Sequence, residues 1–164
     1  MKKAAICLLL FSLVLFSFKT DRKKMITHKW RAISAYDSWL DSLFITAQIS
    51  IDTIDRNDDL DNLYRYGTTN ADSIKPILQF QLDSLKASQL SLVRSTVFNF
   101  RKDSLIITVE NNTESCKWEL DNKGKLVLSN GMDLEIMTLS DTLMKLKLIA
   151  DSGYYCIYKL HPEN

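Results

Sequence analysis

The chain has 164 residues, 46% of them hydrophobic and 25% charged, which suits one globular core and is short for two. Lys and Arg number 21 against 20 Asp and Glu, a net charge of +1, and no basic block is dense enough to follow a phosphate backbone. Nucleic acid is therefore not an expected partner.

Residues 1–18 read as a signal peptide: Lys2 and Lys3 precede an uncharged apolar run from Ala4 to Phe18. That run is short for a membrane span, which takes about 20 residues. Residues 19–164 are then expected as one exported domain, in the periplasm or elsewhere in the cell envelope. The alternative is an uncleaved N-terminal anchor, which the basic "KTDRKK" after the run would suit.

The first strand is predicted in "ITHKWRAIS", with Ile26, His28, Trp30 and Ala32 on one face. In "SWLDSLFITAQISIDTID" Leu40, Leu43, Phe44, Ala47 and Ile51 recur at helical spacing behind a capping box of Ser38 and Asp41. The acidic, turn-rich stretch 55–71 reads as a loop. A second helix is predicted in "DSIKPILQFQLDSLKASQL", capped by Asp72 or Ser73, with Pro76 in its first turn and Ile74, Ile77, Leu78, Leu82 and Leu85 as its stripe. The helical insertion thus covers about 36–93.

After residue 94 the period changes from 3.6 to 2. Seven segments follow, from "STVFNF" to "GYYCIYKL", joined by short polar turns such as Arg101-Lys102-Asp103 and Asp121-Asn122-Lys123-Gly124. With the first strand they make eight, and eight antiparallel strands close naturally into a barrel with no exposed edge. Apolarity assigns an inward face of Trp30, Phe98, Phe100, Cys116, Trp118, Leu120, Leu126, Leu128, Leu134, Ile136, Met144, Leu146, Leu148, Cys156, Tyr158 and Leu160. Lys117, Glu119, Lys125, Asp133, Glu135, Lys145, Lys147 and Lys159 take the other face. The expected fold is mostly β: an eight-stranded antiparallel up-and-down barrel with a two-helix insertion between its first and second strands.

Several stretches also resemble a known family. They are Lys29-Trp30 on the first strand, the hairpin Phe98-Asn99-Phe100-Arg101-Lys102-Asp103, the hairpin from Trp118 to Leu128 and the hairpin from Ile136 to Leu146. Their order resembles the calycins, in particular the small lipocalin-like domain proteins exported by Gram-negative, Bacteroides-type bacteria. The likeness spans roughly residues 25–35 and 94–161 and leaves the helical insertion outside. It implies a lipocalin-like barrel.

No catalytic signature accompanies this pattern, and the chain is not expected to be an enzyme. Asp55, Asn57, Asp59 and Asp61 begin like a calcium loop, but Leu60 stands where the glycine belongs and Tyr66 where the glutamate belongs. His28 and His161 are the two histidines, too few for a His-rich metal site. No metal and no cofactor are expected. Cys116 and Cys156 lie on the fourth and eighth strands; they form a disulfide if the barrel brings them within about 7 Å, and otherwise two buried thiols. The inward Trp30, Phe98, Phe100, Trp118, Met144 and Tyr158 are the candidate ligand-binding residues, for a small hydrophobic molecule such as a fatty acid, a sterol or haem. Under that reading the helical insertion closes the mouth. The same side chains could instead fill the barrel. The chain would then be a structural or interaction module docking a cell-envelope protein through the spare apolar residues of the insertion, Trp39, Ile45, Ile49 and Phe80 among them.

Overall fold

A computed structural model describes residues 22–56, 59–121, 125–150 and 152–163. The expected signal peptide and Asn122-Lys123-Gly124 of one predicted turn lie outside the described residues. In chain order the elements are a short helix whose described part is residues 22–26 (α1), β1 (Lys29–Asp37), α2 (Ser38–Asp52), a 3-10 turn (Ile54–Arg56), α3 (Asp59–Tyr66) and α4 (Ala71–Ser95). Seven further strands follow: β2 (Val97–Phe100), β3 (Ser104–Val109), β4 (Asn112–Leu120), β5 (Leu126–Leu128), β6 (Asp133–Leu139), β7 (Met144–Ile149) and β8 (Tyr155–Pro162).

The strands form one antiparallel sheet in the order β5-β4-β3-β2-β1-β8-β7-β6. Its two outer strands, β5 and β6, come together in space, so the sheet curls into a nearly closed barrel. Register places apolar residues opposite one another: Trp30 with Phe98, Phe98 with Ile107, Leu105 with Cys116, Trp118 with Leu128, Leu134 with Leu148 and Ala32 with Leu160. Because side chains alternate across a strand, this register turns one face of every strand into a shared interior. The interior core contains Trp30, Phe98, Phe100, Leu105, Trp118, Leu134, Met144, Leu146 and Leu160, each at most 3% exposed. Burying side chains of this size contributes about 1.5–3 kcal/mol apiece.

The first strand runs later than the sequence predicts. Ile26 and His28 precede it: Ile26 is fully buried on α1, whereas His28 is exposed. The strand instead continues to Asp37, and a bulge between Ala32 and Ser34 resets its pairing with β8. A bulge adds a residue that breaks the period of two, so the later half of β1 does not show in the apolar pattern.

Among the described residues the insertion holds three α-helices rather than two. Residues 59–66, expected as loop, form α3, with Asp59 and Asp61 in its first turn and Arg65 bonded to Asp61 at 2.9 Å. Acidic residues favour a helix N-terminus, and the same Asp and Asn types read as turn signals in a sequence. The caps also shift. Asp37, not Ser38, caps α2 by accepting from Trp39 N and Leu40 N, while Asp41 accepts from Asp37 N at 3.2 Å. Asn70, not Asp72 or Ser73, caps α4, which places Pro76 beyond the first turn. The Gln48 and Gln79 amides bond reciprocally at 3.0 and 3.4 Å, tying α2 to α4. Ile51, Ile54, Asn62 and Ile74 are buried where the helices meet, and α4 contacts the barrel through β1 and β3.

One turn carries strain. Glu110 and Asn111 link Val109 to its partner Asn112, and Glu110 has φ 53°. A side chain in this left-handed region costs roughly 1–2 kcal/mol, and glycine suits the first position of such a hairpin. Glu110→Gly is expected to raise stability by about 0.5–1 kcal/mol in urea denaturation. A lower midpoint would show that the turn is unstrained.

Candidate functional site

The six candidate residues divide between two ends of the barrel. Trp30, Phe100, Trp118 and Met144 occupy a closed end, each at most 3% exposed. Phe100 meets Trp118 edge-on, with ring centroids 5.4 Å apart at 87°. The indole N–H groups are satisfied internally: Trp30 Nε1 donates to the Ile26 carbonyl at 3.0 Å and Trp118 Nε1 to the Arg101 carbonyl at 2.7 Å. The Lys23 ammonium lies over the Trp118 ring at 5.2 Å, so α1 plugs this end with Ile26 inside and Lys23 outside. These four side chains leave no free polar handle, and Trp118 also borders an outer groove of about 380 Å³ beside Lys23, Asp103, Lys117 and Val127.

Phe98, the cross-strand partner of Trp30, and Tyr158 border the part of the barrel that is hollow. A cavity of about 270 Å³ is lined by Phe98, Ile107, Val109, Met132, Leu134, Leu148 and Tyr158, with Thr96, Asn112 and Glu114 adding polar groups. The Phe98 and Tyr158 rings meet edge-on at 5.3 Å. The lining comes from the start of β2, β4 and β6, the ends of β3 and β7, and β8, so the Glu110–Asn111 turn between β3 and β4 lies beside the cavity. Among the described residues none of the cavity lining lies in α2, α3 or α4, and the helical segment contributes the C-cap Thr96. Thr96 is itself committed to the fold, its Oγ1 donating to the Leu92 carbonyl at 3.0 Å and its carbonyl accepting from Ala32 N at 2.9 Å.

Glu114 is absent from the inward face that apolarity assigns, since a carboxylate is not apolar. Its strand position says otherwise. Residues 112, 114, 116, 118 and 120 share one face of β4; Cys116, Trp118 and Leu120 are buried in the barrel, and Asn112 and Glu114 continue that face to the exposed mouth. Parity with Trp118 was the signal that could have found them. The Glu114 charge is felt inside: after burial, it is the next cause raising the Cys116 thiol above its ordinary pKa.

Both Cys116 and Cys156 are unbridged thiols. Burial pushes Cys156 up to about 11, partly offset by a hydrogen bond from the Tyr158 hydroxyl. Burial likewise holds the Tyr158 phenol well above its usual range, with Cys156 adding to the shift. A thiol needs its thiolate to react, so Cys156 is poorly set up as a nucleophile near neutrality. The raised pKa also sets a pH dependence. Unfolded, Cys156 ionises near 9.0; folded, it keeps its proton to about 11. Its contribution to stability is therefore complete below pH 9 and lost as pH rises toward 11. Cys156→Ala is expected to flatten the fall in melting temperature across that window. An unchanged slope would contradict the burial of this thiol.

A second groove adjoins the cavity, sharing Leu148. It has about 270 Å³ and is lined also by Asp37, Trp39, Ala150, Tyr154, Tyr155 and Cys156. The acidic stretch that resembled a calcium loop serves elsewhere: Asp55 pairs with Lys75 and Asp61 with Arg65. Among the described residues no three His, Cys, Asp or Glu side chains are grouped to hold a metal ion. Compared with known protein-family models, curated proteins and solved structures, the chain matches none.

Proposed function

We propose that this chain is an exported, lipocalin-like binding protein that holds a small hydrophobic molecule in its barrel, in the periplasm or cell envelope. The observation that carries the reading is the contrast between the two ends: one is packed with Trp30, Phe100, Trp118 and Met144, while the other keeps a hollow of about 270 Å³ walled by Phe98, Ile107, Leu134, Leu148 and Tyr158. Side chains large enough to fill it are available to this fold, as the closed end demonstrates. Apolar surface left open at a barrel mouth is stabilised when a ligand removes it from water.

Volume limits the occupant. At about 270 Å³ the hollow lies just below the roughly 300–1,000 Å³ of pockets that take drug-sized ligands, so it suits a small compound such as n-heptanol, with about eight non-hydrogen atoms. A sterol or haem is too large to be enclosed, so the ligand is a short-chain or single-ring compound. At roughly 0.5 kcal/mol per atom, between the ceilings for the smallest and for drug-sized ligands, affinity falls near the millimolar range. Neither Trp30 nor Trp118 lines the hollow, so tryptophan fluorescence is a poor reporter of binding there. The test is an NMR titration of the isotope-labelled protein with n-heptanol. Saturable shifts at Phe98, Ile107, Leu134 and Leu148 support the reading, and their absence up to the solubility limit refutes it.

A second reading, a protein-interaction module of the cell envelope, draws on the insertion. Ile45, Leu60, Tyr64 and Phe80 are 62%, 72%, 90% and 73% exposed, an apolar content that α2–α4 leave outside the barrel. If this surface mediates assembly, sedimentation shows concentration-dependent association that Phe80→Glu weakens. A monomer at all concentrations removes self-association as its role.

A further inference from the structure

The inward face of β4 changes character along its length. From Leu120 through Trp118 to Cys116 it is apolar and buried; at Glu114 and Asn112 it becomes acidic and polar while still lining the hollow. A carboxylate on the concave side of a barrel gains no charge partner from an apolar cross-strand neighbour, and Glu114 pairs across the ladder with Ile107. Among the described residues no Lys or Arg comes within 4.0 Å of the Glu114 carboxylate to form an ion pair. No basic side chain belongs to the cavity lining at all. The hollow therefore presents an apolar chamber with one uncompensated negative charge at its entrance.

We propose that the cavity selects a small cationic amphiphile, an ammonium carried on a short apolar chain or ring, over a carboxylate of the same size. The tail lies between Phe98, Leu134, Leu148 and Tyr158, and the ammonium stays at the mouth beside Glu114 and Asn112. This rests on the reading of the cavity as a binding site and adds the sign of charge at the head. Exposure of Glu114 keeps the charge interaction modest, because solvent screens it; the selectivity comes from attraction of one head together with repulsion of the other.

The experiment compares n-heptylamine, n-heptanol and n-heptanoate by NMR titration at neutral pH, on the wild-type chain and on Glu114→Gln and Glu114→Asp, with the spectra reporting that each is folded. On wild type the amine is expected to bind about five- to tenfold more tightly than the carboxylate, with the alcohol between them. In Glu114→Gln the ratio falls toward one, Glu114→Asp keeps part of it, and raising the salt to about 1 M shrinks it on the wild type. Equal binding of amine and carboxylate on the wild type, or a preference that survives Glu114→Gln, overturns the charge selection while leaving the cavity reading in place. Failure of all three probes to shift the cavity residues overturns both.

Discussion

Trp30→Ala is expected to lower the free energy of unfolding by about 4 kcal/mol, a large share of the roughly 5–15 kcal/mol that holds a domain together. Trp30 is fully buried and sits opposite Phe98 on β2 and Pro162 on β8, so its removal opens a void at the seam between three strands. The indole N–H also satisfies the Ile26 carbonyl, and its loss leaves a buried acceptor without that partner. Two effects of one sign add: cavity formation, and detachment of α1 from the closed end. Trp30→Phe keeps most of the volume and forfeits the hydrogen bond, so its expected loss is nearer 1–2 kcal/mol. Guanidinium denaturation followed by circular dichroism reads both. A loss below 1 kcal/mol for the alanine variant would mean that the closed end is not packed as described.

Ile107→Trp is expected to weaken n-heptanol binding about 30-fold while leaving the barrel folded. Ile107 pairs with Phe98 on one side and Glu114 on the other, and it is half-buried because it packs on the core with one side and borders the hollow with the other. An indole there takes space that the ligand tail needs. Excluding two or three methylenes at about 0.8 kcal/mol each costs about 2 kcal/mol of affinity. The same substitution at a filled site would overpack the core; at this position the added rings enter open space, so stability is expected to change by less than about 1 kcal/mol. Unaltered affinity in a folded variant would place the ligand elsewhere, the groove beside Trp39 and Tyr154 being the first alternative to examine.

The barrel was legible in the sequence because one face of each strand is buried. Cys116-Trp118-Leu120 and Met144-Leu146-Leu148 alternate with lysines and glutamates, and a one-residue slip would bring those charges into the core. Elements escaped where another rule competed. Asp59, Asp61 and Asn62 look like a loop and begin a helix, and the bulge after Ala32 hides half of β1. The site was less legible than the fold for a further reason. Which inward residues touch each other and which border empty space depends on how their volumes add up around the barrel, and a strand pattern carries no such sum. Thus Phe98 and Phe100, two residues apart on one strand, fall on opposite sides of that divide. Glu114 is found by counting in steps of two from Trp118, whereas an inward face chosen by apolarity alone leaves it out.

The division of the barrel into a packed end and a hollow end is tested most directly by intermolecular NOEs between n-heptanol and the protein. The expected result is a set of NOEs from the chain protons to the Phe98 and Tyr158 rings and to the Leu134 and Leu148 methyls, with none to the Trp30 or Trp118 indoles. NOEs to either indole, or to none of the cavity residues while the ligand binds, would contradict the account.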